Sequence, residues 1–127
     1  MTGMIPREYI EHFENMIYLP MVIKIFRQDH QHFQTGAFKL KGPYLELVEA
    51  ACKIAESEYR ETKEYMRKKK LKLETGEHDD FATMYIFYHD GFTSRRKYLN
   101  VRLRNRTEEL IGVYLQQAAN IEKPSAD

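Results

Sequence analysis

Tryptophan is missing from this 127-residue chain, cysteine occurs once, and proline and glycine number only four and six. Each scarcity excludes something. A lone thiol, Cys52, has no intramolecular partner, so the disulfide framework that holds small secreted domains is ruled out and a reducing compartment is expected. With so few turn formers, an all-β fold of many short strands is disfavoured against helices. Long hydrophobic runs are absent too: the most apolar stretch, Met16 to Phe26, is 11 residues with Lys24 inside it, against about 20 for a membrane-spanning helix. Ahead of it, Arg7, Glu8, Glu11 and Glu14 are mixed and acidic where a secretory leader would be basic, and no small-residue cleavage site follows. The expectation is a cytoplasmic protein without a membrane segment. G-x-S-x-G, a glycine-rich phosphate loop and a Cys-x-x-Cys pair are lacking as well, so none of those chemistries is indicated, no catalytic residue is assigned, and no cofactor is expected.

What is present suffices for one core. At this length a single domain buries roughly two-thirds of its unfolded surface, and seven Phe with nine Tyr supply the bulk. Pro6 suits a helix start, where the amide it lacks would have had no partner. Ile10, Phe13, Ile17, Met21 and Ile25 follow at spacings of three or four, while Glu8, Glu11 and Glu14 complement the positive end of the macrodipole. The spacing predicts one long helix to about Gln34, stopped at Thr35-Gly36, with Met16 to Phe26 its most buried part. Pro20 removes one ladder bond and presses on the carbonyl of residue 16, so a kink is expected there. A second helix is predicted from Gly42-Pro43 to Lys70, with a seam of Tyr44, Val48, Ala51, Ala55, Thr62 and Tyr65. A last one runs from Asn100 through Leu103, Leu110, Tyr114 and Leu115.

The segment between them is ambiguous. Phe81, Met84, Tyr85, Tyr88, Phe92 and Leu99 fit helical spacing, yet F-A-T-M-Y-I-F-Y is also strand-like, Lys72 to Glu74 alternates, and Asp90-Gly91 is a turn signal. Helix is preferred, because an isolated hairpin is marginal unless something covers it. The expected fold is all-α, a four-helix bundle with its first helix kinked at Pro20, over residues 1–119, followed by a flexible tail at 120–127. The alternative is α+β with a short hairpin near 71–88.

The near-neutral total charge of +1 hides a basic middle: residues 67–106 carry 11 Lys/Arg against 5 Asp/Glu. Arg67, Lys68, Arg95, Arg96, Arg102, Arg104 and Arg106 are the candidate phosphate or nucleic-acid contacts, because the planar guanidinium fork matches phosphate oxygens. The competing reading is a solvated surface whose cations pair with Glu108, Glu109 and Asp90. Aromatic residues are dense over 81–99, more than one narrow helical seam accommodates, so Tyr85, Tyr88, Phe92 and Tyr98 are candidates for an interface with another chain. Histidines and carboxylates cluster loosely at Glu8, Glu11 and His12 and at Asp29, His30 and His32, but the Glu-x-x-His pair of di-iron bundles is absent, and no metal site is assigned.

Y-L-P-M at 18–21, F-K-L-K-G-P-Y at 38–44, E-Y-M-R-K at 64–68 and L-R-N-R-T-E-E-L at 103–110 resemble a group of small uncharacterised proteins of Bacillus and its relatives. The similarity runs over most of the chain. It departs from the group's pattern at Val101, where a proline is expected after Asn100. These are packing and capping motifs, so the resemblance implies an origin and no activity. The function expected from the residues is a small cytoplasmic interaction or adaptor protein acting as a homodimer; the alternative is a nucleic-acid or phosphate-binding module using residues 67–72 and 95–106.

Overall fold

The computed structural model describes residues 5–37 and 41–122. Three helices and a three-stranded sheet follow in the order α1 (Arg7–Thr35), α2 (Lys41–Lys68), β1 (Lys72–His78), β2 (Ala82–His89), β3 (Phe92–Leu99) and α3 (Asn100–Glu122). The architecture is α+β, which overturns the four-helix bundle. The three long helices fall close to the bounds their periodicity predicts. The segment read as helix is instead an antiparallel meander in the order β1-β2-β3.

The chemistry of residues 82–92 explains the difference. Thr83 and Ile86 are β-branched, and Tyr85, Phe87 and Tyr88 are aromatic, the types that pack best on a pleated surface. His89 pairs with Phe92 across a two-residue turn in which Asp90 and Gly91 take φ of 51° and 77°, the positive-φ pair of a type I′ hairpin. At the other end of β2, Asp79 Oδ1 accepts hydrogen bonds at 2.8 Å from the amides of both Phe81 and Ala82. The hairpin is not isolated. β1 adds a third strand, slipping register between Thr75 and His78, and α1 covers the inner face, where Phe13 and Phe87 stack with centroids 4.3 Å apart. Both rings are fully buried, a contribution of about 1.5–3 kcal/mol each from burial alone.

α1 is buried more broadly than the one stripe expected, with Phe13, Ile17, Tyr18, Leu19, Val22, Ile23 and Phe26 all inside. It lies between partners. Its first half meets the sheet, Met66, Leu71 and Leu103, and its second half meets Val48, Ala51 and Ala55 of α2 and Tyr114 and Ala118 of α3. α2 is antiparallel to it, since His12 and Asn15 approach Thr62 while Arg27 reaches Glu56. The helix runs through Pro20 without a break. α2 ends in a Schellman motif: the Leu71 amide donates to the Met66 carbonyl and the Lys70 amide to that of Arg67, with Lys70 at φ 55°. α3 starts at Asn100 as expected, but the Asn100 side chain ties down the sheet. It donates to the Asp79 carbonyl and accepts from the Thr83 hydroxyl, each at 2.8 Å. α3 extends to Glu122, and the rest of the tail expected at 120–127 lies outside the described residues.

Candidate anion-binding groove

Alternation along β3 divides its basic run. Arg95 pairs with Ile86 and Lys97 with Met84, which puts them on the outer face of the sheet beside Tyr88, because cross-strand partners share a face. Arg96 turns inward, its guanidinium carbon 5.7 Å from the Phe87 ring centroid. A groove of about 510 Å³ is lined by every residue from Arg95 to Leu99, together with Glu14 and Arg102. Since successive strand residues point to opposite faces, a groove touched by five in a row runs along the free edge of β3.

The helix period divides α3 in the same way. At 3.6 residues per turn, Arg102 and Arg106 share one flank and Arg104 falls on the other. Arg102 enters the β3 groove, Arg106 is held by Glu109 at 3.0 Å, and Arg104 lines a separate groove with Lys24 between α1 and α3. Arg67 and Lys68 are not part of the cluster. They sit at the β1 side of the sheet, where Glu64 takes Arg67 through two hydrogen bonds of 3.2 and 2.5 Å and lies 3.9 Å from Lys68. The structure therefore gathers Arg95, Arg96 and Arg102, adds Lys97, and separates the others.

Glu14 is the groove's carboxylate, and among the described residues no arginine forms an ion pair with it. The Tyr98 hydroxyl, from 84 residues away, donates to Glu14 Oε2 at 2.9 Å. Burial, then the hydrogen bond to Glu14, raises the Tyr98 phenol well above its ordinary range. Tyr18 is raised by burial and by Glu14, against the lowering pull of Arg102 and Arg106, and Tyr85 is raised by burial. These phenols stay protonated at neutral pH, and Tyr98 uses its proton as the donor to Glu14. Among the described residues, Arg95, Arg96, Lys97 and Arg102 make no ion pair. Of the pairings expected with Glu108, Glu109 and Asp90, only that of Arg106 with Glu109 forms. The groove is lined by three arginines and one lysine against the single carboxylate Glu14.

The aromatic candidates also separate. Tyr85 and Tyr98 are 6% and 8% exposed and meet edge-to-face in this chain's own core. Tyr88 is half-buried on the outer face and donates to Glu74 at 2.5 Å, and Phe92 is 47% exposed. Sequence reasoning missed Glu14, whose proximity to the start of α1 suggested only a dipole partner. Phe81 belongs to the aromatic surplus of 81–99 but not to the chosen interface candidates, and Leu99 and Val101 were missed; the three are exposed at 79%, 53% and 50% around the start of α3. His12 stacks on Tyr65 at 3.6 Å, and His30 lies 3.8 Å from Glu49. Among the described residues no three His, Cys, Asp or Glu side chains gather as a metal site. No helix among them is long and apolar enough to cross a membrane.

Fold and groove define a small α+β domain with a basic, unpaired strand edge. The chain belongs to the YhjD protein family, whose model matches residues 4–119. It is 34% identical over 108 residues, 85% of this chain and 90% of the relative, to the uncharacterised protein YhjD of Bacillus subtilis strain 168. No solved structure matches it.

Proposed function

We propose that this chain is a cytoplasmic binding domain that takes the phosphate backbone of a nucleic-acid strand in the groove along β3. One observation carries the reading: Arg95, Arg96, Lys97 and Arg102 line one groove, and among the described residues no carboxylate, Glu14 included, forms an ion pair with any of them. Guanidinium groups left free at a concave edge match phosphate oxygens in geometry and charge. Tyr88, diagonal to Arg95 on the outer face, offers a ring on which a base can stack, which favours a single strand over a duplex. About four neutralised phosphates give a salt slope near −2.8 for a single strand, so affinity falls about 50-fold between roughly 50 and 200 mM salt.

Fluorescence polarisation with a short labelled oligonucleotide tests this. Arg96→Glu with Arg102→Glu abolishes binding, while Arg104→Glu, on the opposite flank of α3, retains most of it. Absence of binding by micromolar protein at about 50 mM salt, or equal loss from Arg104→Glu, refutes the proposal.

A second reading, a homodimeric interaction or adaptor protein, is favoured by the apolar trio Phe81, Leu99 and Val101 at the start of α3. Light scattering behind size exclusion decides it: a monomer at tens of micromolar, or a dimer unaffected by Phe81→Ser, removes this reading.

A further inference from the structure

A second basic groove lies where sequence reading placed nothing, between α1 and α2. It has a volume of about 560 Å³ and presents Lys24 and Arg27 from one helix and Arg60 and Lys63 from the other, against a single carboxylate, Glu56. That carboxylate is already engaged. It accepts from Arg27 at 3.0 Å and from the Cys52 thiol at 3.2 Å, and the Cys52 bond, ahead of Arg27, holds it below the usual carboxylate range. Lys24, Arg60 and Lys63 make no ion pair among the described residues, and Lys63 lies over the Tyr59 ring at 4.5 Å.

We propose that the α1–α2 groove binds a small soluble diphosphate ester, its two phosphates held by Lys24, Arg60 and Lys63 and its organic part resting on Pro20 and Tyr59. The spacing suits that ligand. Arg60 and Lys63 are one turn apart, about 5 Å along α2. The antiparallel pairing of Arg27 with Glu56 places Lys24 opposite Arg60. The three cations therefore surround a spot about one turn long and one interhelical spacing wide, roughly 8–10 Å, compact enough for two linked phosphates. The volume lies within the range of small-molecule sites, about 300–1,000 Å³. Pro20, which costs α1 a ladder bond, forms part of the wall, and local conflicts between sequence and fold concentrate at sites of function. The Arg27–Glu56 pair bridges the two helices within the groove lining.

This inference is independent of nucleic-acid binding along β3. Isothermal titration with pyrophosphate and with ADP tests it on the intact chain, with sulfate and phosphatidic-acid vesicles as comparisons. The expected result is one saturable site for pyrophosphate and for ADP. Arg60→Gln with Lys63→Gln, both exposed side chains, weakens that site at least about tenfold, and Lys24→Gln weakens it in the same direction. Arg96→Glu with Arg102→Glu leaves it within about twofold, so failure of the β3 reading and failure of this one are distinguishable. The proposal is overturned by any of four results: no saturation at millimolar pyrophosphate, undiminished affinity in Arg60→Gln/Lys63→Gln, sulfate binding as tightly as pyrophosphate, or vesicle binding without pyrophosphate binding.

Discussion

Tyr98→Phe removes one hydroxyl and leaves the ring, so it isolates the bond that joins β3 to α1. The hydroxyl donates to Glu14 Oε2 at 2.9 Å from a side chain in the core, and hydrogen bonds to charged acceptors contribute about 1.5–3 kcal/mol. Glu14 is half-buried and borders the groove. Water reaching it replaces part of the lost bond, which puts the cost at the lower end, about 1.5 kcal/mol. The edge-to-face contact with Tyr85 survives, because phenylalanine keeps the ring. For a domain of this size the melting temperature falls by about 4 °C per kcal/mol, here about 6 °C. Urea denaturation is the sharper assay: the midpoint moves down by roughly 1 M while the slope is unchanged. Glu14→Gln completes a double-mutant cycle with an expected coupling of at least about 1 kcal/mol. Additive effects of the two substitutions, or a loss below about 0.5 kcal/mol for Tyr98→Phe, refute the assignment of Tyr98 and Glu14 as one unit.

Alkaline pH acts on the same phenols. Burial, followed by a hydrogen-bonded carboxylate, raises Tyr98 beside Glu14 and Tyr114 beside Glu58. A raised folded-state value keeps its stabilisation below the unfolded value of about 10 and loses it as pH climbs from there toward the folded value. Tyrosinate absorbance from these residues therefore appears only as the fold melts above pH 10; their ionisation near pH 10 with the circular dichroism intact contradicts the burial argument. Lys70→Gly relieves a side chain held at φ 55° and stabilises the fold by about 0.5–1 kcal/mol. A destabilised Lys70→Gly variant in urea shows that the lysine makes a contact outweighing its backbone strain.

The parts legible in the sequence are those that local physics decides. Pro6, the Thr35-Gly36 stop, the apolar spacing of α1, α2 and α3, and the Asp90-Gly91 turn each depend on neighbours within a few residues. The Bacillus family resemblance was legible for the same reason, because it rests on contiguous motifs. Residues 81–99 satisfy a helical period and a strand period at once. The choice between them belongs to Phe13, far away in the chain, whose ring covers Phe87, and to β1, which gives the hairpin its third strand. Composition likewise marked the arginines but not their grouping. The 3.6-residue period sends Arg102 and Arg104 to opposite flanks of α3, and Glu64 draws Arg67 and Lys68 away at the other edge of the sheet. Glu14 joins Tyr98 across 84 residues, and Lys24 meets Arg60 and Lys63 only because α1 and α2 pack antiparallel. The sequence by itself determined where α1, α2 and α3 begin and end, to within a few residues, and how much positive charge the chain carries. The tertiary structure alone decided which cations share a groove and which are neutralised, because side-chain charges interact over a few ångströms of space whatever their separation along the chain.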